Sequence, residues 1–311
     1  MIKIDQHFHT TLSDGVNSSA ELLERVKKNQ YYILVATEHD IINRDFSKWM
    51  IDQGFPQVEG VEISVKDRQK EIKQYTWKNS FHMTYYKDRI SDAIEEMLQN
   101  TCGGKQEKIK AQMDKLQAYG FNISQEKFYT YRETQFPWKD RSGYNVLHLS
   151  QYIFLSEENK KLVQEIFWKD VSYLEFLKEC LLSSGKHAHI GTQQVYEYEP
   201  DLEKLANTIH EGVLTIAHPN YTFKSREGFQ KAAEFLIKKY PISAIEINAR
   251  ADKQRVEAIV DFCKVHSLII TFGSDFHAGA GDETHGAFWE TNRFISAEMS
   301  KENYENFLQK I

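Results

Sequence analysis

Seven short apolar runs, most of them separated by helical segments, constrain this chain more than any other feature of its sequence. They lie at residues 2–5, 31–36, 58–65, 81–86, 213–217, 244–247 and 268–272. A continuous run such as 31–36 suits a strand buried on both faces. Helical spacing of apolar residues fills 20–29, 44–51, 201–211, 227–239 and 252–266, and Ser18-Ser19 read as a helix cap. Such βα alternation argues for a parallel sheet, open or closed.

The alternation stops between residues 87 and 186. Helices are expected there at 92–100, 106–119, 146–154, 157–167 and 171–183, punctuated by Gly103-Gly104, Gly120, Pro137 and Gly143. The expected organisation is therefore an α/β body from residues 1–86 and 187–311, with an inserted, mainly helical block at 87–186. Residues 66–78 are strongly charged and read as a loop or exposed hairpin.

Apolar residues make up 41% of the chain, enough for a large core. The net charge of −6 gives no general basic character that would favour long nucleic acid. The three cysteines, Cys102, Cys180 and Cys263, are widely spaced and include no CxxC pair. They read as free, buried thiols in a reducing compartment. No signal-like start and no apolar run of about 18 residues is present, so a soluble, cytoplasmic protein is expected.

Chemistry collects where the apolar runs end. His7 and His9 follow the first run, and alternate residues of an extended chain point to one side, so the pair can chelate one metal ion. Asp14 follows in a Ser-Asp-Gly turn, and His39 follows the second run. Glu62 and His82 lie in the third and fourth. His218 follows the fifth, Glu246 lies in the sixth, and Asp275 and His277 follow the seventh. Parallel barrels gather active sites at the C-terminal ends of their strands.

Taken singly, each residue has an ordinary explanation. Asp14 suits a turn, and a His-x-His pair arises by chance. His187, His189, His210, His266 and His285 read as surface or hydrogen-bonded residues, and Glu59 as exposed. Taken together they are harder to explain, because Ser, Thr or Asn would serve the turns equally well. Mixed imidazole and carboxylate sites suit Zn, Mn or Fe. A carboxylate such as Glu62 can bridge two ions about 3.5–4 Å apart. Water between such ions loses a proton near neutral pH and, as hydroxide, can attack a phosphate ester. No Gly-rich phosphate loop is present.

Several of these segments carry a resemblance. His7-x-His9-Thr10 with Ser13-Asp14-Gly15 resembles the first signature of the PHP (polymerase and histidinol phosphatase) superfamily. Thr37-Glu38-His39-Asp40 is similar to its second, where Asp is usual in place of Glu38. Gly60-Val61-Glu62-Ile63, Ala217-His218-Pro219 and Ser274-Asp275-x-His277 resemble the later ones. The resemblance implies a distorted (βα)7 barrel and two or three divalent ions. One ion would take His7, His9, Glu62 and Asp275. A second would share Glu62 and add His82 and His218, and a third would take Asp14, His39 and His277. Glu62, Asp275 and His277 would be the catalytic residues.

The long insertion resembles a subgroup with a helical cap, whose helix would match 108–120 here. That subgroup includes 3′,5′-nucleoside bisphosphate phosphatases and 5′→3′ exonucleases acting on short RNA. Arg141 and His148 are the candidates for substrate contacts from the cap. The implied activity is hydrolysis of a small phosphomonoester or of the 5′ end of short RNA. The alternatives are histidinol-phosphate phosphatase and a non-catalytic module that binds metal or phosphate.

Overall fold

In the computed structural model, β1 (Lys3–Asp5) pairs in parallel with β2 (Tyr32–Leu34). The structure describes residues 3–27, 32–66, 70–76, 80–135, 145–182, 185–192, 198–277 and 292–311. A second sheet takes the order β3 (Glu59–Lys66), β4 (Ser80–Lys87), β5 (Val213–Ile216), β6 (Ile242–Asn248) and β7 (Ile269–Gly273). The expected apolar runs are these seven strands.

Backbone contacts tie the two sheets at both ends. Phe8 bridges Phe276, and the Gln6 and His9 amides donate to Phe272 and Phe276 at 2.7 and 2.9 Å. His39 bridges Glu62, and the Asp40 amide donates to the Glu62 carbonyl at 2.8 Å. The segments after β1 and β2 thus extend alongside β7 and β3.

One strand departs from the expected parallel arrangement. β4 runs antiparallel to both β3 and β5. The described part of the β3–β4 connection holds only the four-residue helix Lys70–Lys73. That helix advances about 6 Å, whereas an eight-residue strand spans about 27 Å. It does not return the chain to the start of the sheet, so the strand doubles back.

The chain divides into two units, Met1–Gln99 with Glu199–Ile311, and Asn100–Tyr198. Both boundaries fall later than the 87 and 186 read from the sequence, the first of them inside helix Asp92–Tyr119. β3 is buried at every residue but its last. Its Val61, Ile63 and Val65 join Met83, Ile216, Ile245, Ile247 and Phe272 in the main core. Helices Arg226–Lys239, Lys253–His266 and Ala297–Leu308 add Leu236, Ile259 and Phe307 to it.

A smaller cluster of Phe8, Leu22, Leu34, Phe46, Met50 and Phe276 lies behind the site-bearing loops. There helix Ser19–Lys27 starts on a reciprocal cap. The Ser18 hydroxyl accepts from the Glu21 amide, and the Glu21 carboxylate accepts from the Ser18 amide at 2.7 Å. Glu59, expected at the surface, is buried. Its carboxylate accepts from Arg44 Nε at 3.2 Å and from the Ile90 amide at 2.9 Å.

The second unit is helical around Ile109, Met113, Leu116, Phe128, Leu149, Val163 and Phe176. Gly103-Gly104 does not break its first helix, which runs unbroken over Asp92–Tyr119. Gly104 is there for contact, because a Cβ would collide with Tyr198 Cβ. Helix Gln125–Gln135 is an addition to the expected set. The segment expected helical at 171–183 splits into Tyr173–Phe176 and the π-helical Leu177–Leu181. Cys180 and Cys263 are buried thiols, whereas Cys102 is only half-buried. No helix among the described residues is long and apolar enough to cross a membrane.

Candidate metal centre

Glu62 is the hub on which the strand-end residues converge. It is fully buried in β3. Its Oε1 lies 2.8 Å from His218 Nε2, 2.9 Å from His82 Nδ1 and 3.3 Å from His7 Nε2. Its Oε2 lies 2.9 Å from His39 Nδ1 and 3.3 Å from His9 Nε2. A carboxylate offers about four lone-pair sites, and five imidazoles crowd this one.

Asp275 Oδ1 reaches His9 Nε2 at 3.3 Å and His7 Nε2 at 3.6 Å. Asp14 meets His277 Nε2 through Oδ1 at 3.3 Å and His39 Nε2 through Oδ2 at 3.4 Å. All nine expected ligands are therefore brought together. Three groups have donor atoms within 4.8 Å of one another: His7, Glu62, His218 and Asp275; His9, Asp14, His39 and His277; and His39, Glu62 and His82. The grouping differs from the expected one. His9 joins the Asp14 group, His218 the His7 group, and His39 is shared. The cause is placement: His9 lies between Glu62 and Asp14, with Nε2 toward the first and Nδ1 3.8 Å from the second.

The donor set fits a cation. His7 Nδ1 is 2.6 Å from Glu246 Oε2, and an ionised carboxylate only accepts, so Nδ1 carries the hydrogen. The Nε2 lone pair of a neutral His7 then faces Glu62 and Asp275 oxygens. His277 repeats the pattern, with Nδ1 donating to the Asp275 carbonyl at 2.8 Å and Nε2 aimed at Asp14. Lone pairs facing carboxylates repel unless a proton or a metal ion lies between. The Nε2 atoms of His7 and His9 and Oε2 of Glu62 are buried without a hydrogen-bond partner.

Without an ion, protons on His7 and His277 take that role. Burial opposes a charged His7, but the charges of Glu246 and Glu62 outweigh it and hold its pKa well above the ordinary value. Against the same penalty, Asp14 and Asp275 push His277 up to about 10. Burial would raise Glu62, yet the charges of His82, His39 and His7 hold it well below the usual carboxylate range. Asp14 and Asp275 are lowered likewise by their histidines. His82 is the exception. Burial, with His39 and His218 beside it, outweighs Glu62 and lowers its pKa.

Residues around the ligands hold them in place. Glu246, noted in the sequence only as a strand residue, orients His7. Gly273 gives the pair room, since a Cβ there would lie 2.5 Å from His7 Cβ and 3.0 Å from Glu246 Cδ. Asp5 accepts from the Ser274 amide and hydroxyl at 3.0 and 2.7 Å, and Asp40 from those of Ser64 at 2.9 and 2.8 Å. These fix the turns that carry Asp275 and His39. An acidic residue inside a continuous buried strand, as Glu246 is between Ile245 and Ile247, was the available signal.

In the second unit, His148 is buried on helix Val146–Ile153. Arg141 lies outside the described residues.

No protein-family model matches this chain, and no curated protein does. Solved structures share its fold. One is a Bifidobacterium adolescentis protein assigned as a metal-dependent phosphoesterase, with a TM-score of 0.69 and 18% identity over 97% of this chain and 95% of that one. Another is an amidohydrolase from Chromobacterium violaceum, solved with bound sulfate and no metal. Its TM-score is 0.69 with 19% identity over 97% and 96% of the two chains.

Proposed function

We propose that this chain is a metal-dependent phosphoesterase of the PHP type, acting on a small phosphomonoester. The observation that carries it is the convergence of five imidazoles on the single buried carboxylate of Glu62. Such a surplus of donors suits a carboxylate shared by two cations. The backbone links that join β1 to β7 and the His39 segment to β3 support a closed, distorted (βα)7 barrel. The helical unit is its cap in this proposal. The assignment of one fold neighbour as a phosphoesterase and the sulfate bound by another support a tetrahedral anion as the reacting group.

His7, His9, Asp14, His39, Glu62, His82, His218, Asp275 and His277 would hold two or three ions of Mn, Zn or Fe. Ions so held supply Lewis acidity and lower the pKa of bound water. Glu62 orients the histidines on both of its oxygens. Asp275 and His277 would be the catalytic residues beside Glu62, with His277 Nδ1 held by the Asp275 carbonyl and Nε2 directed at Asp14. Arg141 and His148 remain candidates for substrate contact. The substrate classes to separate are nucleoside 3′,5′-bisphosphates, short RNA with a 5′ phosphate and histidinol phosphate.

A panel of these esters, with p-nitrophenyl phosphate and a set of amides, is assayed on metal-reconstituted protein. Phosphate release that disappears in His7→Ala and His9→Ala together with bound metal is expected. Activity that survives both substitutions, or hydrolysis of amides alone, overturns the proposal. Metal binding without any hydrolysis favours the non-catalytic module.

A further inference from the structure

Glu38 is fully buried, and every donor to its carboxylate is neutral. These are the Thr10 amide at 3.0 Å, the Thr10 hydroxyl at 2.5 Å, the Ser13 hydroxyl at 2.5 Å and the Asn43 amide group at 2.9 Å. No cationic side chain pairs with it among the described residues. Four such hydrogen bonds converging on one buried side chain point to a task beyond packing.

The donors supply one. Ser13 has a single hydroxyl hydrogen, and at 2.5 Å that hydrogen goes to Glu38. The Ser13 oxygen is then left as an acceptor toward His9 Nδ1, 3.4 Å away. A hydrogen on Nδ1 leaves the Nε2 lone pair facing Glu62 Oε2 and Asp275 Oδ1, each at 3.3 Å. Thr10 and Ser13 are also the two ends of a turn, in which the Ser13 and Gly15 amides donate to the Thr10 carbonyl at 3.1 and 2.9 Å. Asp14 leaves that turn toward His39 and His277.

We infer that Glu38 is a positioning residue for the metal centre: through Ser13 it fixes the Nδ1-protonated tautomer of His9, and by clamping Thr10 and Ser13 it sets the turn that presents Asp14. His7 and His9 are thus oriented by two separate devices, His7 directly by Glu246 and His9 through a hydroxyl relay. The inference rests on the metal-centre reading of the proposed function.

The test is a calorimetric titration of the metal-free full chain with Mn²⁺, joined to ¹⁵N–¹H correlation of the histidine rings in the Zn²⁺-loaded protein. Glu38→Gln and Ser13→Ala should each weaken binding about 10- to 100-fold, the usual effect of losing a residue that orients a ligand. Glu38→Asp keeps the carboxylate and should recover most of the affinity. His9 should carry its hydrogen on Nδ1 in the wild-type chain. Variants that bind as tightly as wild type, or a His9 protonated on Nε2, overturn the inference. If Glu38→Gln does not fold, Ser13→Ala decides alone, because it leaves Glu38 its other three donors. A wild-type chain that binds no metal overturns the metal-centre reading and this inference with it. Wild-type binding with unchanged variants overturns this inference only.

Discussion

Glu246→Gln isolates the charge behind His7. The carboxylate is buried, with Oε2 2.6 Å from His7 Nδ1 and Oε1 without a hydrogen-bond partner. Glutamine keeps the shape: its carbonyl can still accept from Nδ1–H, and its amide nitrogen takes the bare position. What is lost is the charge. A hydrogen bond to a charged group is worth about 1.5–3 kcal/mol, which corresponds to about 10- to 150-fold in affinity. That range overlaps the 10- to 100-fold expected from losing a partner of a metal-ligating histidine.

The pH dependence separates this explanation from a packing defect. Glu246 is also one of the two charges that hold the His7 pKa well above its ordinary value. A metal ion must displace that proton. Removing the charge therefore weakens the ligand and its competitor together. The affinity gap between wild type and variant should be widest at alkaline pH, where no proton competes, and should narrow as pH falls. Mn²⁺ titration calorimetry from neutral to alkaline pH measures both. A gap that stays constant with pH, or that is absent at alkaline pH, refutes the reasoning.

Gly273→Ala should destabilise the metal-free chain by about 1–3 kcal/mol, the scale of overpacking, because the added methyl meets His7 Cβ at 2.5 Å; an unchanged Tm would refute the clash. His277 binds a proton more tightly folded, at a pKa of about 10, than unfolded, near the ordinary 6.5. Its stabilisation is therefore complete below about pH 6.5 and declines as pH rises toward 10. Urea denaturation with chelator present should show this fall, and the metal-loaded protein, with an ion in place of the proton, should not. Gly103 and Gly104 should respond oppositely to alanine. Gly103→Ala meets nothing within 4 Å and should raise stability by about 1 kcal/mol, whereas Gly104→Ala collides with Tyr198 and should lower it. Thermal denaturation of the two variants reads both signs.

The seven strands and nine candidate ligands were legible because burial and metal chemistry leave one-dimensional marks. A run such as Ile33-Leu34-Val35-Ala36 announces a buried strand. What it does not announce is direction, since a strand buried on both faces reads alike either way. The reversed β4 escaped for that reason. Helix Gln125–Gln135 was missed because its inward face includes the buried Arg132 beside Phe128, and a charge in the apolar stripe hides the period. In Ala297–Leu308 the buried positions are Ser300, Tyr304 and Phe307, and only the last is strongly apolar. Gly103-Gly104 misled in the opposite sense, because the contact with Tyr198 that explains one of them is distant in sequence. The exact placement of the candidate ligands was beyond reach as well. Spacing shows which residues lie at strand ends, not that His9 stands between two carboxylates.

Backbone conformation explains why strand ends and candidate ligands coincide so closely. Five non-glycine residues among those described have positive φ, and three are Asp40 (57°), His218 (27°) and Asp275 (56°), all in the metal-centre segments. Such turns are usually left to glycine, but glycine has no ligand to offer. Asp, Asn and His are the other residue types enriched there. A strand end that must turn sharply and also supply a donor is therefore restricted to very few side chains. Asn satisfies the turn but brings no charge, and Asp and His satisfy both demands. That restriction accounts for His218 and Asp275, whereas Asp40 uses its carboxylate to hold Ser64. It also predicts where strain is held: at His218 and Asp275, both of which contact the carboxylate–imidazole cluster that fixes their side chains.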